Sequence, residues 1–388
     1  MSKKVTFTIL SISLLTVMAG AAVAPALGTI QQHFNNSPAI LVKFIVSIPA
    51  LFIIVVNLFF PIIIKYIRVR TLALLGLGLY VVSGMGAFFV ENIIILLVLR
   101  ALLGVSVGFI MPLSTGLLAY YNPLEKMAGL MGLSAAMNQI GGIVATLLAG
   151  FLATIDWNYS FLVYALGLVA IIFVVIYLPN EKLCNSDLSS GKSNNTFIIV
   201  KKFHPCIIGM LFCMGLFFVF VSNFAITERG VFSTMQITYL MMGVDIVAFI
   251  VGILFGEMIK IIPNYIKYMP PITFVVAFII LSFSIDLKAK IVALVLIGIA
   301  NGVGIPYLNT IASIKGGKDS VNSVMPLISA SLYLGQFLSP ILVGLVSSFF
   351  PNDIRYAYKI AVIFSFVYFV QVFSTKKFYR LKSNDKER

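Results

Sequence analysis

Charge is scarce in this chain. Charged residues make up 10% of its 388 positions, where an ordinary soluble domain carries about 25%, and aspartate and glutamate together number only 13. With 60% apolar residues and a mean hydropathy of +1.07, that scarcity excludes a soluble globular fold and indicates an integral membrane protein. Cysteine is nearly absent too: Cys184, Cys206 and Cys213 are odd in number and lack metal-ligand spacing, so neither a disulfide framework nor a metal centre is expected. The two histidines, His33 and His204, fall in loops without a triad partner. No P-loop is present, since Gly302-Val303-Gly304 is a bend inside an apolar run, and ATP-driven transport finds no support. An intramembrane enzyme would need a nucleophile with its base, paired acids or a metal cluster. The charges expected at membrane depth are Asp245, Arg100 and Lys43, each in a separate helix, so neither an enzyme nor a cofactor is expected.

Long apolar runs are what the chain does contain. Twelve of them, near 6–29, 39–63, 71–90, 93–120, 129–154, 160–178, 204–227, 236–257, 270–286, 290–313, 322–349 and 357–374, are each about long enough to cross a bilayer. The expected class is therefore all-α, with twelve transmembrane helices. Lysine and arginine divide unevenly between the connectors: twenty lie on one side and five on the other, with Lys43 and Arg100 inside helices. Because positive charge stays cytoplasmic, both ends of the chain are expected inside. The net charge of +14 belongs to these short loops and implies no nucleic-acid partner. Pro25, directly after Ala22-Val23-Ala24, and the length of the first run argue for a retained helix over a cleaved leader. One long polar connector, Pro179 to Pro205, has the composition of a flexible linker. The expected organisation is a six-helix bundle over 1–178, a cytoplasmic linker over 179–203, a second six-helix bundle over 204–375 and a basic tail over 376–388.

A two-fold repeat underlies that organisation. Moved forward by 194 positions, Gly104, Gly108 and Pro112 land on Gly298, Gly302 and Pro306, and Met131, Leu133, Ala136, Gly141 and Gly150 land on Met325, Leu327, Ala330, Gly335 and Gly344. Such internal symmetry marks many transporter folds. The shared residues are small or helix-bending, which suits close packing in lipid. Arg100 lands on Leu294, so the halves share packing and differ in charge.

Several stretches resemble the major facilitator superfamily, and within it the twelve-helix bacterial drug/proton antiporters. Arg100-Ala101-Leu102-Leu103-Gly104-Val105-Ser106-Val107-Gly108, followed by Pro112, is similar to the R-x-x-x-G-x-x-x-G signature of helix four. Asn138-Gln139-Ile140-Gly141-Gly142 with Gly150 resembles the glycine-rich antiporter motif, and Gly335-Gln336-Phe337-Leu338-Ser339-Pro340 looks like its second-half counterpart. The resemblance implies two pseudo-symmetric six-helix bundles working by alternating access in a bacterial plasma membrane, as a monomer. It also implies proton-coupled efflux of a small amphiphilic or drug-like molecule. Uptake or facilitated diffusion of a nutrient, and flipping of a lipid or lipid-linked sugar, share the fold and stay open. The pattern departs in the connector of helices two and three, where Lys65 and Arg68 replace the usual aspartate and glycine ahead of Arg70, and in Gly142-Ile143, which lacks a Gly-Pro pair.

Proton coupling needs a titratable group that can meet water from each side in turn. Asp245, about 13 Å along the eighth run at 1.5 Å per residue, is the acid expected at depth, and it is expected to carry protons. Arg100, placed at similar depth, costs roughly 2.5–3.5 kcal/mol to insert and so needs a compensating environment. The resemblance implies that it influences proton transfer; the alternative is that it caps backbone carbonyls of neighbouring helices. Lys43 is expected to snorkel to the outer surface. Substrate contacts in the resembling family come mainly from helices one, four, seven and ten, which offer Ser13, Thr16, Ser106, Ser114, Asn223, Asn301, Tyr307 and Asn309. Asn138, Gln139, Tyr333 and Gln336 add polar groups from helices five and eleven, with interhelical hydrogen bonding as the alternative role for each.

Overall fold

The computed structural model describes residues 3–121, 124–182, 196–346, 353–376, 378 and 379. Their backbone is helical nearly throughout: α1 (Lys3–Ala21), α2 (Leu27–His33), α3 (Ala39–Tyr66), α4 (Val69–Gly86), α5 (Ile93–Tyr121), α6 (Leu124–Leu152), α7 (Leu166–Tyr177), α8 (Thr196–Thr227), α9 (Thr234–Ile261), α10 (Met269–Phe283), α11 (Leu287–Val346) and α12 (Tyr356–Ser374). Among the described residues, eleven helical stretches are long and apolar enough to cross a membrane, and Ala136–Leu152 is a shorter apolar helix where the fifth crossing was expected.

Two of the expected spans begin or break differently, for local reasons. The first run is interrupted before Pro25, which has no N–H to continue an α-helix. There the Val23 N–H turns back to the Gly20 carbonyl (3.4 Å), a 3-10 turn covers Ala24–Ala26, and α2 resumes to His33. The sixth run opens with 3-10 turns over Trp157–Ala165, capped where the Asp156 carboxylate accepts the Trp157 N–H at 2.7 Å, before α7 takes over.

Helical backbone also runs without a break from Leu287 to Val346, through the connector expected between the tenth and eleventh spans. The run is nevertheless two crossings. Gly304 lies against Cys213 and Gly335 against Leu211, positions two apart on α8, whereas the 31 residues between the glycines would extend about 46 Å in a straight helix. The chain therefore reverses between them.

By contacts the chain divides into two compact units, Met1–Ser189 with Val221–Met242, and Ser190–Phe220 with Gly243–Arg388. Inside each, the repeated glycines do the same work. In the first unit, Gly104 faces the Pro49 backbone and Gly141 the Leu14 carbonyl; in the second, Gly298 faces the Val244 carbonyl and Gly335 the Leu211 carbonyl. A Cβ at any of these four would sit under 3.0 Å from backbone, nearer than real side chains come. Small residues thus set the approach of paired helices, since lipid supplies no hydrophobic force between them. Gly141→Val is expected to lower the melting temperature of the purified protein by several degrees, at roughly 1–3 kcal/mol of overpacking. Gly142→Ala, whose added carbon meets only the Val17 side chain at 3.3 Å, should melt near wild type. An unchanged melt for Gly141→Val would contradict the close approach of α1 and α6.

Candidate functional site

Arg100 sits in α5 with 0% exposure, and each of its bonds goes to a group that the helices cannot satisfy themselves. Pro49 in α3 has no N–H, so the carbonyl of Ile45, four residues earlier, loses its helical donor. The Arg100 Nε–H donates to that carbonyl at 2.8 Å. The break ahead of Pro25 likewise frees the Ala19 carbonyl of α1, and there the Arg100 Nη2 donates at 2.5 Å and the Tyr164 hydroxyl at 2.9 Å. Nη1 donates to the Tyr164 oxygen at 2.6 Å, and the rings of Phe161 and Tyr164 lie 5.9 and 5.5 Å from the guanidinium carbon. A planar fork of five donors suits this task, reaching three elements at once in a way that an ammonium could not. Gly104, one turn on, lets α5 touch Pro49, and Gly108 packs on Val56. Arg100, Gly104 and Gly108 are thus one continuous seam against α3.

Asp245 lies in the interior of α9, within the stretch Thr234–Ile261. It is half-buried, beside buried Val244 and Ala248, and it takes part in a polar or electrostatic interaction. A second acid, just past the end of the seventh apolar run, is fully buried: Glu228, at 0% exposure. The cause is local. Its N–H continues α8 to the Phe224 carbonyl (2.9 Å) and its carbonyl accepts from Val231 and Phe232 (3.1 Å each), a turn that Gly230 completes at φ 87°. The sequence signal was its place immediately after the apolar run, within one further helical turn. Lys43 corrects another expectation, since at 5% exposure it is enclosed and does not reach a surface. Lys290, at the first position of the tenth apolar run, is buried as well.

Five of the twelve polar candidates bond to a neighbouring segment, and Ser114 bonds within its own helix. Ser13 pairs with Ser134 at 2.9 Å and the Thr16 hydroxyl donates to the Asn138 Oδ1 at 3.2 Å, joining α1 to α6. Ser106 donates to the Gly76 carbonyl (2.8 Å), Ser114 to the Met111 carbonyl (2.9 Å) and Tyr307 to the Tyr379 carbonyl (2.9 Å). Asn223 and Gln336 are buried and engaged, Tyr333 is half-buried and engaged, and Gln139 and Asn309 are half-buried. Asn301, 9% exposed in α11, keeps its Oδ1 without a hydrogen-bond partner. Among the motif residues, Pro112 and Pro340 lie inside α5 and α11, and Gly150 packs on Thr238. Arg68 is the N-cap of α4, and the half-buried Arg70 donates through its guanidinium to the Val175 carbonyl near the end of α7. The Lys65 side chain lies outside the described residues.

Comparison with known proteins follows the same lines. The family model described as Major Facilitator Superfamily matches residues 9–340. The quinolone resistance protein NorA of Staphylococcus aureus (strain MRSA252) is 27% identical over 237 residues, which cover 59% of this chain and 56% of NorA, so the match spans about half of that relative. Among solved structures, the nucleoside transporter NupG superposes with a TM-score of 0.77 at 12% identity, covering 97% of this chain and 100% of its own. A D-xylose-proton symporter also gives 0.77 at 12%, covering 94% and 96%.

Proposed function

This chain belongs to the Major Facilitator Superfamily and is a membrane transporter, not an enzyme, and we propose that it exports small amphiphilic, quinolone-like molecules in exchange for protons. The observation that carries the reading is Asp245, a carboxylate half-buried in the interior of a membrane-length apolar helix. Such a group is costly there and persists where it serves transport. The partial match to NorA supports efflux as the direction and a quinolone as the test compound. The twenty-to-five division of Lys and Arg supports cytoplasmic ends. Asp245 carries the proton in this reading, and Arg100 holds together the bundle on which the cycle turns.

The experiment is uptake of a fluorescent quinolone by everted membrane vesicles, their orientation checked with an epitope tag added to the chain. Expected is accumulation that a proton gradient drives and an uncoupler abolishes. Accumulation that survives the uncoupler would overturn the coupling. Accumulation by right-side-out, energised cells would instead favour uptake of a nutrient.

A further inference from the structure

Tyr379 is buried to 1% exposure although it stands five residues beyond the end of α12. Its hydroxyl donates to the Pro205 carbonyl at 2.5 Å, which also accepts the Gln371 amide at 3.1 Å, while its own carbonyl accepts the Tyr307 hydroxyl. Phe378 lies edge-on to Phe203, with ring centroids 6.2 Å apart. Helices α8, α11 and α12 therefore grip a two-residue aromatic anchor at one end of the second unit. Lysines surround it: the Lys315 ammonium is 4.3 Å from the Phe378 centroid, Lys202 lies over Phe203, Lys376 over Phe373, and Lys267 donates to the Lys376 carbonyl at 3.4 Å. Lys202 and Lys376 are exposed and Lys315 is partly so. Burial and the adjacent Lys202 hold the Lys315 amine below its usual value.

We propose that this corner binds the phosphates of anionic phospholipid headgroups through Lys202, Lys315 and Lys376, with Phe378 and Tyr379 as the anchor that fixes the end of the chain beyond α12 beside them. Crowded cations repel one another and gain from an anion placed among them. The headgroup layer supplies such anions at the level where aromatic belts and snorkelling lysines lie. Lys202 and Lys376, exposed with their ammonium groups over aromatic rings, and the partly exposed Lys315 can meet that layer. The inference is independent of what is transported.

The test uses the full chain in nanodiscs of phosphatidylcholine, with or without phosphatidylglycerol. Phosphatidylglycerol should raise the melting temperature and remain with the protein on purification. The triple variant Lys202→Gln, Lys315→Gln, Lys376→Gln should lose at least about half of that rise, as should Tyr379→Ala, or Tyr379→Phe where the alanine variant does not fold. Lys260→Gln is the control, because that ammonium already pairs with Glu257 at 2.8 Å. Inorganic phosphate added to phosphatidylcholine discs should reproduce none of the rise. A full rise in the triple variant, or one reproduced by inorganic phosphate, overturns the proposal.

Discussion

Asp245→Asn should abolish uphill quinolone transport in proteoliposomes while leaving exchange of labelled for unlabelled substrate intact. Asparagine keeps the size and the hydrogen-bonding capacity of the side chain but cannot bind a proton at one face and release it at the other. Without that differential, a proton gradient has nothing to bias, and accumulation should fall to a ratio of about 1. Exchange needs only the substrate site and the rocking of the bundles, so it should persist. Glu228 supplies the internal comparison, being a second buried acid that the same assay can interrogate. If Asp245→Asn still concentrates substrate and Glu228→Gln does not, the proton carrier is Glu228 and the assignment to Asp245 fails.

The second large effect concerns stability. Arg100→Leu leaves the Ile45 carbonyl without a donor and removes the bonds that tie α1, α3 and Tyr164 to α5. Each orphaned buried carbonyl costs about 1–3 kcal/mol, and loss of a buried charged tie about 3–5 in total. Because Pro49 is what leaves Ile45 unpaired, Pro49→Ala supplies the missing N–H. The double variant should therefore recover roughly 1 kcal/mol over Arg100→Leu alone. Arg100→Lys should be intermediate, one ammonium being unable to span three acceptors. Melting followed through Trp157, the single tryptophan and a neighbour of Phe161 (6.2 Å between rings), reads out this region directly. Strict additivity of the two substitutions would contradict the link between Pro49 and Arg100.

Much of the fold could be read from the residues because membrane crossing is a question of apolar length, and because the 194-residue shift pairs glycines that play matching parts in space. Gly141 and Gly335 meet α1 and α8 in the same way, as their matching register implied. What escaped was tertiary. Arg100, Pro49 and Pro25 were each visible, yet nothing in their spacing says that the arginine completes the carbonyls the prolines expose. Lys43 was assigned to a surface because a long stem permits it, whereas packing encloses it. Glu228 falls just outside the apolar run that stops at Thr227, yet its N–H still bonds to the Phe224 carbonyl one turn back. Of the candidate site, the polar residues do lie on packed helices, but Ser13, Thr16, Ser106 and Asn138 direct their hydrogen bonds to neighbouring helices.

The division of labour between Arg100 as the tie and Asp245 as the carrier is tested most directly by proton-driven quinolone transport in the Arg100→Leu, Pro49→Ala double variant, measured per folded molecule. If the arginine only satisfies carbonyls, the refolded bundle transports uphill at a rate close to that of Pro49→Ala alone. A double variant that, per folded molecule, exchanges substrate as Pro49→Ala does yet without responding to the proton gradient would place Arg100 in the coupling itself.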